Sequence, residues 1–156
     1  MASARREIHD SLINILKTIA ISSGYHQNVA SVTKRMKEIE MVPAFPSLSV
    51  LEGEQVFQNI SEEEDLYEAS ASFSVIGYVK TDHDAADAGL LSTAADDLIE
   101  DIKDALVNNT GTLFTLTSAK SLRFVSDEPL LDYQNNWGYV TVNFTVTYYW
   151  GTGSEE

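Results

Sequence analysis

Apolar and polar residues alternate along the stretch 138–150. Val140, Val142, Phe144, Val146 and Tyr148 share one parity; Tyr139, Thr141, Asn143, Thr145, Thr147 and Tyr149 share the other. Successive side chains of a strand point to opposite faces, so this pattern predicts a strand with one buried and one polar side. Residues 67–80 repeat the grammar, with Tyr67, Ala69, Ala71, Phe73, Val75, Gly77 and Val79 on one face and Glu68, Ser70, Ser72 and Ser74 leading the other. Two long strands with matching one-sided faces are expected side by side in one sheet, roofed by helices on the apolar face.

Two segments have the helical period. In residues 4–22, Ile8, Leu12, Ile15, Leu16 and Ile19 form one stripe, and Gly24 is placed to take the left-handed cap after Ser22-Ser23. After Lys80, the residues Leu91, Ala95, Leu98, Ile102 and Leu106 predict a second helix, capped at Thr81 or Asp82 or later at Ser92 or Thr93, and stopped by Asn108-Asn109-Thr110-Gly111. Its outer face is read as Asp96, Asp97, Glu100, Asp101 and Asp104 around Lys103. Shorter strands are expected at 28–37, at 47–51 with a stop at Glu52-Gly53, and at 121–126, the last forming a hairpin with 138–150. The order is α-β-β-β-α-β-β: an α+β fold with a mixed, mainly antiparallel sheet and two main helices on one face. The length of 156 residues fits one domain over 1–156, with frayed ends at 1–3 and 151–156.

Charge changes the picture. The chain carries a net −14. Residues 1–37 hold six Lys/Arg against two acids, whereas residues 38–156 hold four against twenty-two. Such a surface repels nucleic acid and anionic membranes. The basic run Lys34-Arg35-Met36-Lys37 reads either as a solvated edge or as a docking patch for an acidic neighbour. Lys34, Arg35 and Lys37, with Phe45 between two prolines and Trp137 at the start of the last strand, are the candidate interface residues.

Candidate chemistry is sparse. There is no cysteine, which excludes disulfides and thiolate metal sites. Of three histidines, only His83 sits among acids, in Asp82-His83-Asp84, where a helix start also favours acids. The run Glu62-Glu63-Glu64-Asp65 lacks the alternating spacing of a calcium loop. No nucleophile elbow or phosphate loop occurs, so no catalytic residue, cofactor or metal is assigned and the chain is read as a non-enzyme. The N-terminal stretch is interrupted by His9, Asp10, Ser11 and Asn14 and does not read as a signal peptide; a soluble, intracellular protein is expected.

The succession of elements resembles a known family. A helix through Ile15-Leu16-Lys17-Thr18-Ile19 ends near Gly24-Tyr25, followed by a valine-bearing strand and the proline-led Pro46-Ser47-Leu48-Ser49-Val50 with Glu52-Gly53-Glu54 after it. Then come the long strand, the helix 98–106, and a closing strand that starts at Trp137-Gly138 and ends at Tyr148-Tyr149. Over residues 8–150 this order is similar to that of the tail terminator (tail completion) proteins of long-tailed bacteriophages. That resemblance implies a homohexameric ring on the end of the tail tube, which stops tube polymerisation and offers a surface to neck or head-completion proteins. It implies a location at the neck-proximal end of the virion tail after assembly in the host cytoplasm. DNA would pass through the ring without specific binding, no membrane would be involved, and no catalytic residues carry over. Other readings are a different neck or head-closure connector, or a small soluble cation-dependent enzyme or ligand-binding domain.

Overall fold

A computed structural model describes residues 3–61, 65–81 and 88–151. Helix α1 (Ala4–Leu16) is followed by β1 (Ser31–Thr33), β2 (Ser47–Ser61), β3 (Leu66–Lys80), α2 (Ala88–Asn108), α3 (Thr110–Leu116), β4 (Ser121–Asp132) and β5 (Trp137–Gly151). The strands form one sheet in the order β1-β2-β3-β5-β4, parallel between β1 and β2 and antiparallel elsewhere. The α+β class and the mostly antiparallel mixed sheet agree with the sequence pattern.

β3 and β5 pair along their whole length, from Leu66 opposite Gly151 to Lys80 opposite Trp137. Phe73 faces Phe144, and their rings stack at 5.9 Å between centroids. Val140, Val142, Phe144 and Val146 are fully or almost fully buried, as are Ala69, Ala71, Phe73 and Val75 on the same face of β3. α2 lies over β5, β3 and β4, and α1 over β2 and β1, so Ile8, Leu12, Leu16, Leu91, Leu98, Ile102 and Leu106 complete one core on one side of the sheet. Gly77 marks a close approach of α2 to the sheet: a Cβ there would lie 2.6 Å from both Leu98 and Val140 side chains.

Four expectations about element limits are corrected. α1 stops at Leu16, not at residue 22. The Thr18 hydroxyl donates to the Ile15 carbonyl at 2.6 Å and the backbone tightens through Thr18 and Ile19. Gly24 does adopt the left-handed conformation, φ 95°, but it caps a single 3-10 turn over Ile21–Ser23. β1 covers Ser31–Thr33 instead of 28–37. Parallel neighbours need a crossover of about a dozen residues, and the chain from 34 to 46 is that crossover. β2 continues past Glu52-Gly53 to Ser61, because the register shift between Glu52 and Gln55 absorbs the glycine as a bulge. Arg5 holds this bulge from α1, pairing with Glu52 at 3.1 Å and donating to the Gly53 carbonyl.

β4 likewise runs to Asp132, through Pro129, which an edge strand tolerates. Its hairpin with β5 closes on Asn136 at φ 58°, with Asp132 accepting from the backbone of Gln134 and the amide of Asn135. Helix α3 has no counterpart in the sequence pattern, which ends the second helix at 108–111; it seats buried Leu113 against α1 and α2. α2 ends at Asn108 as the asparagines predict, and Asn109 Nδ2 donates to the Ala105 carbonyl. The run 62–64 and the residues 82–87, with Asp82-His83-Asp84, lie outside the described residues.

Candidate interaction surfaces

The crossover 34–46 determines where most of the candidate interface residues lie. At its start the Thr33 and Ser49 hydroxyls both donate to the Arg35 carbonyl, which bends the chain away from β1. Arg35 and Met36 are left exposed. Lys34 turns to Asp10 of α1, and this ammonium holds the Asp10 carboxyl below its ordinary range. The backbone N–H of Lys37 donates to the Tyr78 hydroxyl at 2.8 Å. Tyr78 is fully buried on the polar side of the sheet, edge-on to Tyr139 at 5.5 Å. Ile39 and Val42 of the crossover are also buried, apart from the main core.

Phe45 and Trp137 meet through Lys80. The Lys80 ammonium lies 5.8 Å from the centre of the Phe45 ring, and Trp137 is the β5 partner of Lys80 in the ladder. Thus Phe45 and Trp137 share one end of the sheet, Lys37 reaches its neighbour Tyr78, and Lys34 is drawn off toward α1. The middle of the polar face carries hydroxyls and an amide: Ser74 donates to Asn143, which donates in turn to Ser126.

Two features were not read from the sequence. One is a groove of about 370 Å³ between α1 and α3, lined by Glu7, Asp10, Asn14, Thr18, Thr112 and Leu116 among others. The sequence pattern gives no helix at 110–116 and so does not point to it. It offers hydroxyls, amides and two carboxylates, of which Asp10 is engaged by Lys34. The other is a cluster of half-exposed rings, Phe57, Tyr67 and Trp150, with centroids 5.7–6.2 Å apart around an apolar cup of about 240 Å³. Tyr67 and Trp150 were legible as strand ends, but Phe57 had no place while β2 was expected to stop at Gly53.

Buried polar groups are structural. Asp101 of α2, expected on the outer acidic face, is 1% exposed and accepts the backbone N–H groups of His26 and Gln27 at 2.9 Å each. Burial pushes its carboxyl up while these two bonds pull the other way. His9 Nε2 lies 2.7 Å from the Val50 carbonyl, so this nitrogen carries the proton and fastens α1 to β2. Among the described residues no three His, Asp or Glu side chains come together to hold a metal, and no helix is long and apolar enough to cross a membrane.

No family model and no curated protein matches the sequence. Among solved structures, the chain is similar in fold to a chain from the virion of a native gene transfer agent (GTA) particle. The TM-score is 0.50 at 9% identity, over 96% of this chain and 100% of that one. At that identity the likeness concerns the fold.

Proposed function

We propose that this protein is a structural component of a tailed phage or phage-like virion, and within it the tail terminator. The observation that carries the reading is a fold likeness to a virion chain that spans both chains almost end to end. The order of elements that resembles the tail terminator family supports the finer assignment. In this reading copies of the chain form a six-membered ring on the end of the tail tube. The ring ends tube growth and presents a joining surface to the neck and head-completion proteins. It acts by contacts, without catalysis or cofactor. Lys34, Arg35, Lys37, Phe45 and Trp137 are proposed contact residues, with the crossover as their scaffold.

A second reading, another neck or head-closure connector, is favoured by the same likeness, since a virion chain can occupy more than one station. Electron microscopy of the protein mixed with its cognate tail tubes separates the two. A terminator gives one six-fold ring at a single tube end and tubes of limited length. Side-on binding, or bare tube ends, would defeat the assignment. The alternative of a cation-dependent enzyme rests on Asp82-His83-Asp84, outside the described residues.

A further inference from the structure

The aromatic cup and the basic crossover lie at opposite ends of the subunit and complement each other. β1 flanks β2 only at Ser47–Ser49, and the β4 ladder on β5 stops at Thr147. Beyond these points β2, β3 and β5 continue together as a three-stranded blade. Along the helix-facing side of the sheet the buried residues end at Ala69 and Tyr148; Phe57 flanks Ala69 in that layer, and Tyr67 and Trp150 form the next. Phe57 and Trp150 are 47% and 50% exposed, so a preformed apolar cup stands unfilled at the end of the blade. Acids border it, and the cations nearby, Arg5 and Lys120, are each paired with a carboxylate. Between Lys37 and Lys80 the sequence holds no Lys or Arg. Glu54 and Asp65 are exposed on the blade, while Glu52 is paired with Arg5, and Glu68, on the opposite face, with Lys120.

At the other end, Met36 is 57% exposed between Arg35 and Lys37, on a backbone fastened by the Arg35 carbonyl and the Lys37 N–H. An exposed methionine flanked by cations on a rigid turn is the shape and charge opposite of an aromatic cup among acids. Thioether sulfur packs favourably on aromatic rings, and cations favour both ring faces and carboxylates. The two cannot meet within one subunit. Thr33 is the last β1 residue and pairs with Ser49, whereas Phe57 lies eight residues further along β2, roughly 25 Å away.

We propose that the cup of Phe57, Tyr67 and Trp150 receives Met36 of a second copy of this chain, with Arg35 and Lys37 of that copy set against Glu54 and Asp65. Each subunit then has a socket at one end and a plug at the other. Such a head-to-tail contact closes into a ring or runs on as a filament. This rests on the reading of the chain as a ring-forming virion protein and assigns the faces that join.

Because the chain has no native cysteine, the contact can be trapped. Met36→Cys protein and Phe57→Cys protein, each checked for an unchanged circular dichroism spectrum and melt, are mixed at high concentration and oxidised. A disulfide-linked pair containing one of each is expected, and the double variant should give a ladder of linked copies. In sedimentation, Trp150→Ala and Arg35→Glu/Lys37→Glu should each weaken self-association by roughly tenfold or more. Glu54→Lys/Asp65→Lys should restore the charge-reversed partner. Oxidation accumulates even a thinly populated contact, so absence of the mixed disulfide overturns the proposal, including the case in which another virion protein fills the cup. If rings still form on tube ends without the 36–57 link, the faces are wrong and the terminator reading stands. If neither appears, both fall.

Discussion

Asp101 shows how a single residue escapes a reading by period. It belongs to a run of acids on α2, and the helical stripe through Leu98 and Ile102 leaves it at the border of the apolar face. What buries it is remote in sequence: the turn at 26–27 presents two backbone N–H groups that no nearby backbone carbonyl satisfies. Replacing Asp101 with Ala leaves both donors without this acceptor, at a cost of about 1–3 kcal/mol each, partly offset because a buried charge is removed. A net loss of about 2–4 kcal/mol corresponds to a melting temperature lower by roughly 5–15 °C for a chain of this size. Asp101→Asn keeps one acceptor and should lose about half as much. A thermal melt of the two variants checks the order; an Ala variant as stable as the parent would mean that the turn is held by other contacts. The core residues, by contrast, were legible one by one. Strict alternation in 138–150 put Phe144 and Val146 inward, and both are buried.

At the scale of elements, legibility followed how much of the apolar pattern each element keeps to itself. β3 and β5 are long, alternate cleanly and lie at the centre, so their extent and pairing follow from composition. β2 does not alternate in its outer half, because residues 52–60 pass from the roofed sheet to the exposed blade, and a glycine bulge there reads like a turn. α3 has one buried side chain, Leu113, too few for a period. β1 exists because the crossover returns its edge to β2, which no local pattern reports. This hierarchy should appear in amide exchange. β3 and β5 have a neighbour strand on both sides and a roof of α2, so their central amides are expected to open only with global unfolding. β1, three residues on an edge, and the blade beyond Thr147 should exchange orders of magnitude faster. Mass-spectrometric exchange on peptides covering 70–79 and 31–37 tests this. Equal protection of the two would contradict a stability centred on the β3–β5 pair.

For the whole molecule the decisive quantities are charge and length. A sphere of 156 residues has a radius of gyration of about 15 Å and a diameter of roughly 40 Å, yet a fifteen-residue strand such as β5 spans about 50 Å. The subunit is therefore longer along its strands than the sphere suggests, with the crossover and the blade at different stations along β2. Six spheres of this size touching in a circle enclose a hole about 40 Å wide, and three enclose about 6 Å, against roughly 20 Å for duplex DNA. Of the two, only the larger would be wide enough for the proposed conduit, and interlocking subunits would narrow it from there. In the proposed ring, six copies of a −14 chain would carry −84, and acids at the lumen would act on DNA within a Debye length of about 8 Å. The +4 of residues 1–37 does not reverse this, because residues 38–156 carry −18 and one of those cations, Arg5, is paired with Glu52. A wall that DNA passes must not hold it, and nonspecific DNA binders reach dissociation constants of about 10⁻⁴–10⁻⁶ M through counterion release. With a net −14, this chain is expected to gain little from such release. Fluorescence anisotropy of a labelled duplex should stay flat up to about 10⁻⁴ M protein at low salt, where any electrostatic attraction is strongest. A rise that disappears as salt is added would expose a basic track along the crossover strong enough to grip phosphate, and the conduit reading would then fail on its central requirement.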